Sequence, residues 1–235
     1  MKRPAFFRRR QVWAPTLWTW ALVCLAVAGV APFGLRHVYG FLAPSEPLGS
    51  RLLVVEGWMP YAELDQSLQA FQRGKYDRVV TTGGPIENER ARVRAGAESY
   101  AEEARNHLVE QGLASEAVVA VRAPASAQDR SFLNAVMVRE WALGTGFPLD
   151  SVDVFSSGVH SRRSWLLHRL AFGPGVRVGI IAAAPSEYDP RAWWRTSLGA
   201  KEVLGEAIGW LWTELFFHPA PPGSHDERWR NGEGG

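Results

Sequence analysis

The sequence predicts a doubly wound α/β domain of about five mostly parallel strands, preceded by one transmembrane helix. Three observations carry this. Residues 11–35, QVWAPTLWTWALVCLAVAGVAPFGL, are 25 consecutive residues without a formal charge, and about 20 apolar helical residues are enough to cross a bilayer. From Arg51 onward, short apolar runs alternate with helical periodicity, the signature of βα units and a parallel sheet. The 235 residues are 46% hydrophobic with a single cysteine, Cys24, so one packed core rather than a disulfide or multi-cysteine metal framework must hold the fold.

Residues 1–10 form a basic N-terminus that contains Lys2, Arg3, Arg8, Arg9 and Arg10, and no acidic residue occurs before Glu46. By the positive-inside rule this end is cytoplasmic and everything after about Tyr39 is extracytoplasmic, which makes the span a single-pass membrane anchor. Trp13, Trp18 and Trp20 crowd the basic end of the span, where indole rings favour the interface. A cleaved signal peptide is the competing reading, but the small-residue site AGVA is followed at once by Pro32, a poor residue after a cleavage point. Residues 36–50 read as a linker with Pro44 and Pro47. With Arg36, the five N-terminal cations leave 20 basic against 24 acidic side chains elsewhere, a net charge of −4 that argues against nucleic acid as a partner.

In the body, 51–217, the expected strands are Leu52 to Val55, Arg78 to Thr82, Ala117 to Val121, Val152 to Ser156 and Val176 to Ala182. Helices are expected from Tyr61 to a stop at Gly74, from about Gly96 to Gln111, from a cap at Asp129 to Gly144, and from Ser161 to Phe172. Arg191 to Phe217 reads as a terminal aromatic helix. It either packs Trp210, Leu211 and Phe216 on the sheet or rests on the membrane. Residues 218–235 hold too few apolar side chains to fold and read as a disordered tail.

Ligands of open parallel sheets bind at the carboxyl ends of the strands. That rule selects Glu56-Gly57-Trp58, Thr82-Gly83-Gly84-Pro85, Ala125 to Ser131, Ser157 to Arg163 and Ala184 to Asp189. Arg162 and Arg163 stand in a first helical turn, where cations oppose the macrodipole at a cost of about 0.3–1 kcal/mol each. An anion docked there would reward both, and the competing reading leaves both in solvent. His160 beside them can donate to the same anion or act as general acid or base, with Glu56 as its partner. Gly83 and Gly84 would let backbone approach a ligand or merely make a turn. The candidate site is therefore His160 and Glu56 as catalytic groups, with Gly57, Thr82, Gly83, Gly84, Arg130, Ser131, Arg162 and Arg163 as ligand contacts. No cofactor or metal-ligand set is read from the sequence, which holds no GxSxG, GxxxxGK[ST] or HExxH motif.

The ordered segments LLVVEGW, RVVTTGGP, APASAQDRS, VDVFSSGVHSRRS and VGIIAAAPSEYDPRAWWRTS resemble the ElyC/SanA/YdcF family of bacterial envelope proteins, in particular its subgroup with EGW after the first strand. The similarity spans Arg51 to Phe217. It implies a Rossmann-like domain linked to envelope integrity and to lipid-carrier or peptidoglycan metabolism. In one position the chain departs from many relatives: Tyr100 stands where they carry an acidic residue. The leading functional expectation is a membrane-anchored envelope protein that binds an anionic, phosphate-bearing small molecule or lipid carrier. A hydrolase or transferase acting on such a phosphate, and a non-catalytic envelope scaffold, are the alternatives.

Overall fold

A computed structural model describes residues 14–126, 130–224 and Glu227, apart from the side chains of residues 27 and 30–32. The basic residues 1–10, Trp13 and the expected cap Asp129 lie outside the described residues. The chain divides into two compact units, 1–37 and Val38–Gly235.

Helix α1 spans Leu17–Leu42 and so crosses from the first unit into the second. In the first unit Leu17, Trp18, Leu22, Leu25 and Phe33 are exposed. The helix does not stop at Arg36, where the linker is expected, but continues to Leu42. Among the described residues no helix is long and apolar enough to cross a membrane.

The second unit is an α/β domain consistent with a Rossmann-like fold. Its five described strands are β1 (Leu52–Glu56), β2 (Arg78–Gly83), β3 (Val118–Arg122), β4 (Ser151–Ser157) and β5 (Arg177–Ala183). They form one all-parallel sheet in the order β3-β2-β1-β4-β5. Each lies within one residue of its expected bounds, because strands buried on both faces read as nearly continuous apolar runs. Alternate residues feed two cores. Leu53, Val55 and Val79 face helices α2 (Tyr61–Arg73) and α4 (Tyr100–Glu110) through Leu64 and Leu108. Val54, Val154 and Ile180 face α5 (Arg130–Thr145) and α6 (Ser161–Phe172) through Phe132 and Leu167.

Three elements differ from expectation. Gly96 does not open the second helix. It ends α3 (Glu89–Ala95) in a left-handed conformation at φ 61°, and α4 starts at Tyr100. Ser99 caps α4 by accepting from the Glu102 amide, while the Glu102 carboxylate accepts from the Glu98 amide. The stretch 191–217 is not one helix. A 3₁₀ segment over Pro190–Arg195 ends at Thr196, which caps α7 (Ser197–Phe216) by accepting from the Gly199 amide. Helix α7 packs Val203, Ala207 and Trp210 on Val38, Tyr39 and Leu42, and Phe217 enters the core, but Leu211 and Phe216 point outward. Finally, the stretch after 217 is tied down at least at Glu227. Its buried carboxylate receives two hydrogen bonds from Arg139, at 2.8 and 2.6 Å, and one from the Gly223 amide.

Candidate functional site

Strand order reverses between β1 and β4. The chain winds outward from β1 through β2 and β3, then returns to lay β4 on the other side of β1. The carboxyl ends of these two strands flank the crevice where doubly wound sheets bind ligands. They deliver Glu56 from β1 and Ser156 to Arg163 from the turn between β4 and α6.

Glu56 is fully buried. Ser156 Oγ donates to Oε2 at 2.5 Å and Ser164 Oγ donates to Oε1 at 2.8 Å. A carboxylate in this position is tolerated because hydroxyl donors replace its water. His160 Nε2 stands 3.8 Å from Glu56 Oε2 and 3.4 Å from Ser131 Oγ, at the start of α5. The other imidazole nitrogen, Nδ1, is 3.0 Å from Oε1 of Glu206, which reaches in from α7. Arg163 grips the same carboxylate with two bonds, Nε to Oε2 at 2.8 Å and Nη2 to Oε1 at 2.9 Å. Trp58 closes the group with its ring edge-on to His160 at 5.0 Å between centroids. Gly209 on α7 leaves room for Arg163, since a Cβ there would lie 3.2 Å from its Nε.

Above this cluster opens a cavity of about 610 Å³. Trp58, Gly84, Arg130, Ser131, Asn134, His160, Arg163 and Glu206 are among its walls. Of the expected site residues, His160, Ser131, Arg130, Arg163, Gly83 and Gly84 therefore meet at one cavity. Glu56 lies beneath it, against His160. Thr82 is fully buried, and its hydroxyl donates to the Asn134 carbonyl. Gly57 and Gly83 fit against the start of α4, where an added Cβ would meet Tyr100 O at 2.3 Å and Tyr100 Cβ at 2.7 Å respectively.

Two expectations need correction. Arg162 does not join the cluster. Its guanidinium lies 4.0 Å over the Phe41 ring and donates to the Phe41 carbonyl, because adjacent positions on a helix face different directions. Arg163 is not a solvated side chain awaiting an anion but half of a paired, three-quarters-buried contact with Glu206. Glu206 and Asn134 are functional candidates that the sequence did not single out. Asn134 interrupts the apolar run FLNAVMV, which was the available signal, whereas α7 also carries Lys201, Glu202 and Glu214, so nothing in its pattern marked Glu206. His168, one turn beyond Ser164, is fully buried, and burial lowers its pKa, so it is neutral packing in the α6 core. Among the described residues no group of three or more His, Cys, Asp or Glu side chains is placed to hold a metal ion.

Burial by itself would raise the pKa of Glu206, but the hydrogen bonds and charges of His160 and Arg163 outweigh it and hold the carboxyl at about 2, against an ordinary 4.5. A carboxylate depressed on folding contributes stability that is present above the unfolded pKa and lost as pH falls through the folded one. The difference corresponds to about 3 kcal/mol. In urea titrations the wild type should exceed Glu206→Gln by that order at pH 6, and the gap should close between about pH 4.5 and pH 2. Comparison with the variant cancels Glu63, whose pKa burial raises and whose contribution runs the other way. An equal gap at pH 6 and pH 2.5 would show that the pairing adds nothing.

Comparisons with family models, with curated proteins and with solved structures found no match.

Proposed function

We propose that the chain is a membrane-anchored protein of the bacterial cell envelope whose α/β domain binds a phosphate-bearing ligand, such as a lipid carrier or a nucleotide-like molecule. The anchor is the uncharged stretch 11–35 behind its five cations, with the N-terminus inside and the α/β domain outside. The observation that carries the ligand class is the cavity at the strand-order reversal, into which the start of α5 brings the exposed Arg130. Helix N-termini and guanidinium groups are the standard protein partners of phosphate. The resemblance to the ElyC/SanA/YdcF family supports the envelope setting.

A hydrolase or transferase acting on that phosphate is favoured by a specific feature. A simple anion clamp has no use for two carboxylates, Glu56 and Glu206, on either side of the histidine.

Isothermal titration of the full chain in detergent with inorganic pyrophosphate tests the ligand class. A charge-assisted contact is worth about 1.5–3 kcal/mol, so Arg130→Ala should weaken binding about tenfold or more at an unchanged melting temperature, the side chain being exposed. Absence of binding, or equal binding by the variant, would reject the site. A reporter active only outside the cytoplasm, fused after Phe217, should give signal, and signal from a cytoplasm-only reporter there would reject the topology.

A further inference from the structure

We infer that Ser131 is the nucleophile of a transfer reaction at phosphorus, with His160 as its base and Glu206 as the group that holds the imidazole. This rests on the reading of the cavity as a phosphate site. Three elements distant in sequence meet to make the chain of contacts. Ser131 Oγ from α5 is 3.4 Å from His160 Nε2, and His160 Nδ1 is 3.0 Å from Glu206 Oε1 on α7. The relay requires the tautomer with its proton on Nδ1, toward the ionised Glu206, which leaves the Nε2 lone pair to the serine hydroxyl. Arg163 Nη2 lies 3.0 Å from the same Nδ1. Arg163 also fixes the Glu206 carboxylate in position with two bonds. Hydroxyl, imidazole and carboxylate in this order are what activates a serine.

Glu56 is the obvious rival for the role of base, but its two oxygens already accept from Ser156 and Ser164 beneath the cavity. It acts as a positioning residue, placing a second negative charge 3.8 Å from Nε2, where it stabilises the imidazolium formed when the serine proton arrives. A purely structural serine would explain the hydroxyl but not its neighbour. Asn134, one turn further along α5 and also on the cavity wall, keeps its side-chain Oδ1 buried without a hydrogen-bond partner among the described residues. A buried polar atom of this kind is costly unless something in the cavity supplies its partner.

In the first step the Ser131 Oγ–H proton passes to His160 Nε2 as the Oγ–P bond forms. The P–O bond to the leaving oxygen breaks, and that oxygen takes the proton from Nε2. Water then gives a proton to Nε2 and bonds to phosphorus, the Oγ–P bond breaks, and Ser131 recovers its proton. The sum is a phosphate ester plus water giving a phosphate and an alcohol.

A fluorophosphonate probes this step directly, since its P–F bond breaks as Oγ–P forms and fluoride leaves. The full chain in detergent should acquire one adduct, mapped by mass spectrometry to Ser131. Ser131→Ala should acquire none while melting like the wild type. His160→Gln should be labelled at least about a hundredfold more slowly. Glu206→Gln should be slower by about tenfold, with the midpoint of its rate profile moved to lower pH, a change that mere loosening of α7 would not give. No adduct, an adduct elsewhere, or wild-type labelling of His160→Gln would overturn the relay. Pyrophosphate titration of the same samples separates the two ideas: binding without labelling rejects the nucleophile alone, and loss of both rejects the phosphate site as well.

Discussion

Gly57→Ala should lose more than about 3 kcal/mol of stability, whereas Gly84→Ala should fold as the wild type does. A Cβ on Gly57 would lie 2.3 Å from Tyr100 O, 2.8 Å from Tyr100 C and 3.1 Å from Thr82 O, all of them backbone atoms. No side chain can turn aside to make room. The Gly57 amide already donates to Thr82 O at 2.7 Å, and α4 starts at Tyr100, so relief would require moving the helix off the sheet. Gly83→Ala should behave like Gly57→Ala, with Tyr100 Cβ at 2.7 Å and the Ala101 amide at 2.9 Å. At Gly84 the nearest atom to an added Cβ is Pro124 O at 3.9 Å, an ordinary contact. Because Gly84 lines the cavity, its variant should fold and bind pyrophosphate less tightly. The glycines of EGW and TTGG would then separate into two that admit a helix and one that admits a ligand. Chemical denaturation of the three variants checks this, and a Gly57→Ala protein as stable as the wild type would refute the close approach.

The strands were legible because a parallel sheet covered on both faces leaves its pattern in each segment by itself. Helix α6 was legible for a similar local reason, with Ser161 and the Gly-Pro-Gly of 173–175 marking its ends. The start of α4 was misplaced at Gly96, although a local signal for it was present. Ser99 followed by Glu102 is a capping box, a stronger signal than the glycine at 96, which serves as a helix stop. The strand-end rule brought His160, Arg163, Ser131 and the glycine pair to one place, since it depends only on the alternation of strands and helices. It could not reach Glu206. That residue comes from a terminal helix after the last strand, and its pairing with Arg163 joins positions 43 residues apart that share no periodicity. It could not separate Arg162 from Arg163 either, because which of two adjacent helical arginines faces the crevice depends on where α7 and residues 38–42 pack.

The segment between α1 and the sheet should depend on one carboxylate. Asp153→Ala should cost about 3–5 kcal/mol, since each buried donor left unpaired costs about 1–3 kcal/mol and water can refill part of the space. Asp153 is fully buried in β4 and accepts four hydrogen bonds. Leu48 N donates to Oδ1 at 2.7 Å, and Gly49 N, Ser50 N and the Tyr76 hydroxyl donate to Oδ2 at 2.9, 3.1 and 3.0 Å. No cation faces it in these contacts, so three amides and a phenol do the work of solvation. Burial, together with the Asp153 charge, pushes the Tyr76 pKa up and keeps that hydroxyl a donor. Gly179 on β5 completes the pocket, since a Cβ there would lie 2.0 Å from Oδ1. Tyr76→Phe, which removes one donor of four, should cost about 1 kcal/mol. Asp153→Asn should fall between the two, because its amide keeps one acceptor oxygen but turns a donor toward backbone N–H groups. Hydrogen exchange should show the Leu48, Gly49 and Ser50 amides losing protection together in Asp153→Ala while the β1 amides keep theirs. Unchanged stability of Asp153→Ala would mean that the bridge of Glu46 to Ile180, which joins the same segment to the edge of β5, holds it without the carboxylate.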